Sequence, residues 1–366
     1  MPHRSMPLRR LRILWRRHAL KEAVAQWKPF KQRLATMVGA VLLGLVALAF
    51  AAMADSANHL FLAIVAEWPL APLILSPLLF ALVVWATLRF ASEARGSGIP
   101  QVIAAGRVRD PAKALRLVSL STAMKKLGLT VTMLLGGASV GREGPTVQVS
   151  AAIMVAMHRW LGVPITQGVL IAGGAAGVAA AFNTPLAGVA FAIEELAAAY
   201  EQKIAVLVMA AVMISGLVSL GIAGDYVYFG VITQTLELKT LLIAAPLAGI
   251  AGGLAGGLFS RLALGLSGPK SWLPPVLTQR PVLFAALCGL LVAVLGIVTA
   301  GATWGTGYAP TRILVEGGEQ SMWFGPAKFV ATLATMLSNA PGGIFAPSLA
   351  IGAGIGNLLK PLFPDD

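Results

Sequence analysis

The chain has 366 residues, of which 57% are hydrophobic and 12% charged, with 40 glycines and 22 prolines. That balance is one a water-soluble globular domain rarely shows, and it points to a polytopic membrane protein. A net charge of +13 would fit nucleic acid, but most of it comes from ten Lys/Arg in residues 1–35, which face a single acid, Glu22; the charge therefore belongs to one end of the chain, and no nucleic-acid partner is expected.

The basic stretch comes first in the chain, as Arg4, Arg9, Arg10, Arg12, Arg16, Arg17, Lys21, Lys28, Lys31 and Arg33. Interleaved Leu, Ile and Trp predict an amphipathic helix on a lipid surface, and the positive-inside bias predicts a cytoplasmic N-terminus, so residues 1–33 are set apart as one segment. A secretory signal is not expected, because the basic stretch is long and the apolar run after it continues past a signal core. Leu34–Ala54, Pro69–Leu88, Ile165–Ile193, Ala205–Gly224 and Pro281–Tyr308 are uncharged runs that reach the roughly 20 residues needed to cross a ~30 Å hydrocarbon core. Thr146–Met157 and Gly343–Leu359 are shorter and read as half-helices or tilted segments that end inside the protein.

Several chemistries are set aside. A single cysteine, Cys288, excludes an intrachain disulfide and a Cys-based metal cluster, and it reads as a small apolar helix residue. His3, His18, His59 and His158 lack metal-ligand spacing, and no GxxxxGK[ST] phosphate loop is present. No metal or other cofactor is expected, and no nucleophile, base and oxyanion set suggests an enzyme.

Four short clusters carry the chemistry. In "GSGIP", Gly96–Pro100, two glycines let the backbone approach a ligand, Ser97 offers a hydroxyl donor and Pro100 can start or break a helix; an ordinary interfacial loop is the alternative. In "GREGP", Gly141–Pro145, Glu143 stands where a helix would begin. A carboxylate within a membrane is costly when ionised and functional by default, although a structural contact with Arg142 at an aqueous loop also fits. In "FNTPLAGVAFAIEE", Asn183, Pro185 and Gly188 predict a break leading into a short helix whose last turn carries Glu194 and Glu195. Two acids there oppose the helix dipole; Glu194 reads as an interfacial loop acid, and for Glu195 a proton relay and a loop acid both stay open. In "GGIFAP", Gly342–Pro347, the N–H groups of Ile344 and Phe345 can face a site that the Phe345 ring walls. Lys126 either raises the potential for an anion or snorkels with Lys125 at an interface.

The second and fourth clusters align. Matching Gly141–Pro145 to Gly343–Pro347 also brings Thr132-Met133-Leu134 to Thr335-Met336-Leu337, one residue out of step. Two Gly/Pro-interrupted apolar segments in corresponding halves predict inverted-topology repeats with broken helices whose positive ends face an anion, set here as residues 34–203 and 204–366. The first half runs on from Pro145 through Glu195, whereas the chain reaches Asp366 soon after Pro347; the second repeat is therefore expected to be incomplete.

Taken together and in order, "GSGIP", "GREGP", "FNTPLAGVAFAIEE" and "GGIFAP" resemble the CLC chloride channel and transporter family, over roughly Leu34 to the C-terminus. The resemblance implies an all-α homodimer with one anion pathway per subunit and inverted-topology halves. Within that pathway Ser97 looks like the central anion's hydroxyl ligand, Ile344 and Phe345 like its backbone donors, and Gly141 and Arg142 like further anion-site residues. Glu143 looks like the external gating glutamate, and Glu195 like the internal proton glutamate of the exchangers. Chloride/proton antiport in a bacterial inner membrane is thus the expected function, with a passive chloride channel or a non-transporting fragment or pseudo-subunit as alternatives. Gln101 and Ile103 replace acids that some exchangers carry after this motif. Serine at position 97 is the chloride-type residue; nitrate-preferring relatives have proline there, and fluoride exporters diverge in these motifs. The family tyrosine that closes the inner side of the site would lie beyond this chain, and Tyr308, the nearest upstream tyrosine, is not assigned to it.

Overall fold

The computed structural model describes residues 8–196, 202–225, 227–232, 237–267 and 271–363, with backbone alone at 8–26, 28 and 202–204. Residues 1–7 of the basic segment lie outside them. From Leu8 to Glu67 the chain is one continuous helix, α1, which passes through the boundary set at residue 33. After it come α2 (Pro72–Phe90), α3 (Ile99–Arg107), α4 (Pro111–Leu117), α5 (Leu120–Leu135), α6 (Glu143–Trp160), α7 (Gln167–Phe182), α8 (Pro185–Phe191) and α9 (Gln202–Ala223). The remainder is α10 (Leu238–Ser267), α11 (Pro275–Gln279), α12 (Pro281–Val298), α13 (Tyr308–Val315), α14 (Phe324–Leu337) and α15 (Phe345–Leu359).

Among the described residues five segments are long and apolar enough to cross a membrane: Pro29–Glu67, Pro72–Phe90, Ala205–Ala223, Leu238–Ser267 and Pro281–Val298. One sequence expectation changes and one span is added. The run Ile165–Ile193 is not one span, because Asn183 adopts a left-handed conformation (φ 54°) that ends α7, and Pro185 starts α8. The span not expected from sequence is α10, a 30-residue helix that runs through Pro246 and carries Lys239 and Arg261 on either side of the uncharged stretch 240–260.

Burial explains why the short helices stay inside. Fourteen residues of α6 and fourteen of α7 are buried, so both are surrounded by protein, and α7 packs between α6 and α9. Small residues allow that approach: a Cβ on Gly173 would lie 2.8 Å from Met154 Cβ, and one on Gly188 2.6 Å from the Ala175 carbonyl oxygen.

The halves correspond element by element. Gly141 and Gly343 form the one isolated β-bridge among the described residues, with N–O distances of 2.6 and 2.8 Å, and α6 and α15 start just beyond them. Lys126 in α5 precedes Gly141 by as many residues as Lys328 in α14 precedes Gly343, and both lysines are fully buried. Each spans a Gly-Ser/Thr-Gly turn. Lys126 Nζ donates to the carbonyls of Ala94 (2.9 Å) and Gly96, while Lys328 Nζ donates to Thr303 (2.9 Å) and Gly305 (2.8 Å). The turns match in backbone as well: φ is +68° and +108° at Gly96 and Gly98, and +65° and +88° at Gly305 and Gly307. Each then enters a short helix, α3 or α13. In this register α12 answers α2 and α10 answers α1, while α9 packs on α1 and α7. α10 is thus the counterpart of α1, and α9 lies between the two sets of matched elements.

Candidate anion and proton site

Three chain breaks meet at one point. The Gly96 carbonyl accepts from Gly342 N (3.1 Å), which ties "GSGIP" to "GGIFAP", and the Gly141–Gly343 bridge ties "GGIFAP" to "GREGP". Glycine is required where "GSGIP" and "GREGP" touch: a Cβ on Gly98 would lie 2.7 Å from the Gly144 carbonyl oxygen, and one on Gly144 2.8 Å from the Ser97 carbonyl oxygen. Behind them Ser139 anchors the turn to α14, through its N to Thr335 Oγ1 (3.3 Å) and its Oγ to Thr332 Oγ1 (2.9 Å).

The convergence brings together the starts of α3, α6 and α15. In α6 the first turn closes from Thr146 N to the Arg142 carbonyl, and in α15 from Ser348 N to the Ile344 carbonyl. The N–H groups of Glu143, Gly144, Phe345 and Ala346 precede those bonds. Pro145 and Pro347 carry no N–H at the next position. Facing helix starts with unused donors make an electropositive spot suited to an anion.

The expected site residues are placed as follows. Ser97 is half-buried, and its hydroxyl has no hydrogen-bond partner among the described residues. Ile344 caps α15, and Phe345 is 38% exposed with its ring 5.2 Å from Phe182. Gly141 lies at the junction, but its N–H donates to Gly343. Gly141 therefore has no free backbone donor for an anion, and its part is to leave room, since a Cβ there would collide with Glu143 Oε2. Arg142 turns toward α1 and donates from Nη1 to Ala51 O (2.9 Å) and Asp55 Oδ2 (2.8 Å). The ion pair Arg142 forms is thus with Asp55, and the alternative of a structural Arg142–Glu143 contact does not hold.

Glu143 is 2% exposed at the start of α6. Its Oε1 accepts from the Tyr308 hydroxyl, and its Oε2 has no partner in the described structure. Glu195 lies elsewhere, in a π-helical turn over Ala192–Leu196, where it and Glu194 are exposed and make no hydrogen bond or ion pair among the described residues. Lys126 does not snorkel: it is fully buried beneath the "GSGIP" turn, and only Lys125 reaches an exposed carbonyl, that of Phe90 (2.7 Å).

Sequence reasoning passed over Tyr228 and Asp55 and left Tyr308 without a role. Tyr308 stands at the start of α13 with its ring 4.5 Å from Tyr228 and 5.3 Å from Phe229, and the Arg142 guanidinium lies over Tyr228 (4.9 Å) and Tyr308 (5.5 Å). The signal for Tyr308 was the "GTGY" of Gly305–Tyr308, which repeats the "GSGI" of Gly96–Ile99.

A family model described as voltage gated chloride channel matches residues 79–365. The chain belongs to that family. It is accordingly a multi-pass membrane protein of the CLC type. It is 32% identical over 358 residues to an H(+)/Cl(-) exchange transporter ClcA of Klebsiella pneumoniae, covering 90% of this chain and 73% of the relative. Against the ClcA of Salmonella agona the identity is 32% over 347 residues, covering 88% and 70%. Among solved structures, a slow cyanobacterial Cl-/H+ antiporter superposes with a TM-score of 0.74 at 23% identity, over 91% of this chain and 81% of that one. A CLC-type fluoride/proton antiporter gives 0.75 at 21%, over 92% and 83%. These likenesses establish the CLC fold.

Proposed function

We propose that this chain exchanges chloride for protons across a bacterial inner membrane, working as a homodimer with one pathway in each subunit. The observation that carries the reading is the Glu143 carboxylate, buried among facing helix starts whose N–H donors suit an anion. A carboxylate and a chloride ion compete for such a spot, so protonating Glu143 yields it to chloride, and the two fluxes become coupled in opposite directions. Oε2, which has no partner, is an acceptor open to the proton. The ClcA relatives, named as H(+)/Cl(-) exchange transporters, support the same chemistry.

Within this reading Ser97 donates its hydroxyl to the central chloride, Ile344 and Phe345 offer backbone N–H groups, Arg142 adds positive charge from the α1 side, and Gly141 leaves space for the carboxylate. Glu195 takes protons from the opposite face. Its exposed π-helical turn suits that role, since π-bulges concentrate at functional positions. In proteoliposomes Glu143→Ala is expected to keep chloride flux and lose proton coupling, and Glu195→Gln to lose proton movement. Coupling that survives Glu143→Ala removes the gate, and coupling that survives Glu195→Gln removes that residue from the proton route.

A further inference from the structure

The phenol of Tyr308 is the one side-chain donor to Glu143 among the described residues, and it arrives from the other repeat. We propose that Tyr308 is a positioning residue for the gate: its hydroxyl holds the ionised Glu143 carboxylate in the pathway and thereby sets the pH at which chloride is admitted. This inference rests on the proposed role of Glu143.

The geometry favours a fixed donor. The Gly305-Thr306-Gly307 turn aims the start of α13, two positive-φ glycines set that turn, and Lys328 ties down its carbonyls. The Tyr308 ring is then packed between Tyr228 and Phe229 with the Arg142 guanidinium over its face. A hydroxyl so held donates to the ionised carboxylate more strongly than to the acid, so the contact favours the carboxylate staying in place.

The charged and titratable groups around the pair are few. Arg142 at the cap of α6 and Asp55 on α1 form an ion pair beside it. Tyr228 flanks it from the segment before α10. Lys328 on α14 approaches Gly307 but donates to Thr303 and Gly305. Arg312 and Glu316, further along α13, pair with each other at 2.8 Å. The phenol remains the group that touches the carboxylate.

Tyr308→Phe removes the hydroxyl and keeps the ring. Chloride flux measured against pH in proteoliposomes should rise with acidification in the unsubstituted protein, and in Tyr308→Phe the midpoint should move up, because a donor to the charged carboxylate is lost. The half-saturating chloride concentration at neutral pH should fall, because the competing carboxylate is held less firmly. In the double variant Glu143→Gln/Tyr308→Phe the flux should be as independent of pH as in Glu143→Gln alone. A purely structural role would change the rate and leave the midpoint in place. An unmoved midpoint in Tyr308→Phe, with Glu143→Gln flattening the profile, overturns the inference and leaves the gate standing. A pH-independent flux in the unsubstituted protein overturns the gate and this inference with it.

Discussion

Arg142 shows how unequal partners share one side chain. Its side chain is 6% exposed and that of Asp55 is 54% exposed. A pair with one half in water is screened and contributes about 1 kcal/mol or less, whereas the Ala51 carbonyl and the Tyr228 and Tyr308 rings hold the guanidinium from the buried side. Asp55→Asn is therefore expected to lower unfolding stability in detergent by less than about 1 kcal/mol, and Arg142→Met by about 2–3 kcal/mol. Equal losses would show that the ion pair carries the anchoring. Glu143 itself was legible in the sequence, because a carboxylate beside Gly144-Pro145 in an apolar chain has few roles. Its partner was not, because the two residues lie in different repeats and only the folded chain brings them together.

At the scale of the element, the matched lysines explain how sharp turns persist inside an apolar protein. Each turn leaves carbonyls with no helix partner, and each lysine satisfies two of them. Lys126→Met and Lys328→Met should each cost about 2–4 kcal/mol, measured as loss of thermal stability in detergent, because the carbonyls stay buried without donors. A loss in only one of the two would break the equivalence of the turns. The broken helices themselves could be read from glycine and proline, which punctuate "GREGP" and "GGIFAP". The lysine pairing could not be read so directly, since the spacing from lysine to turn differs between the halves. The span α10 was passed over although residues 240–260, between Lys239 and Arg261, are uncharged and long enough to cross a membrane.

For the whole molecule, two inverted halves close on a single junction, and the Gly141–Gly343 bridge is its centre. The repeat aligned from sequence, glycine to glycine, is the register the bridge adopts. The packing of α9 on α1 and α7 was not legible, because α9 is apolar on its own account and gives no sign of its partners in composition. The junction brings together the starts of α3, α6 and α15, with Ser97 on one side and the buried Glu143 carboxylate on the other, and the proposed exchange rests on that arrangement. The most direct test is to load liposomes with chloride, dilute them into low-chloride buffer, and follow chloride efflux and proton uptake together. The expected result is proton uptake driven by the chloride gradient; chloride efflux with no accompanying protons would contradict it.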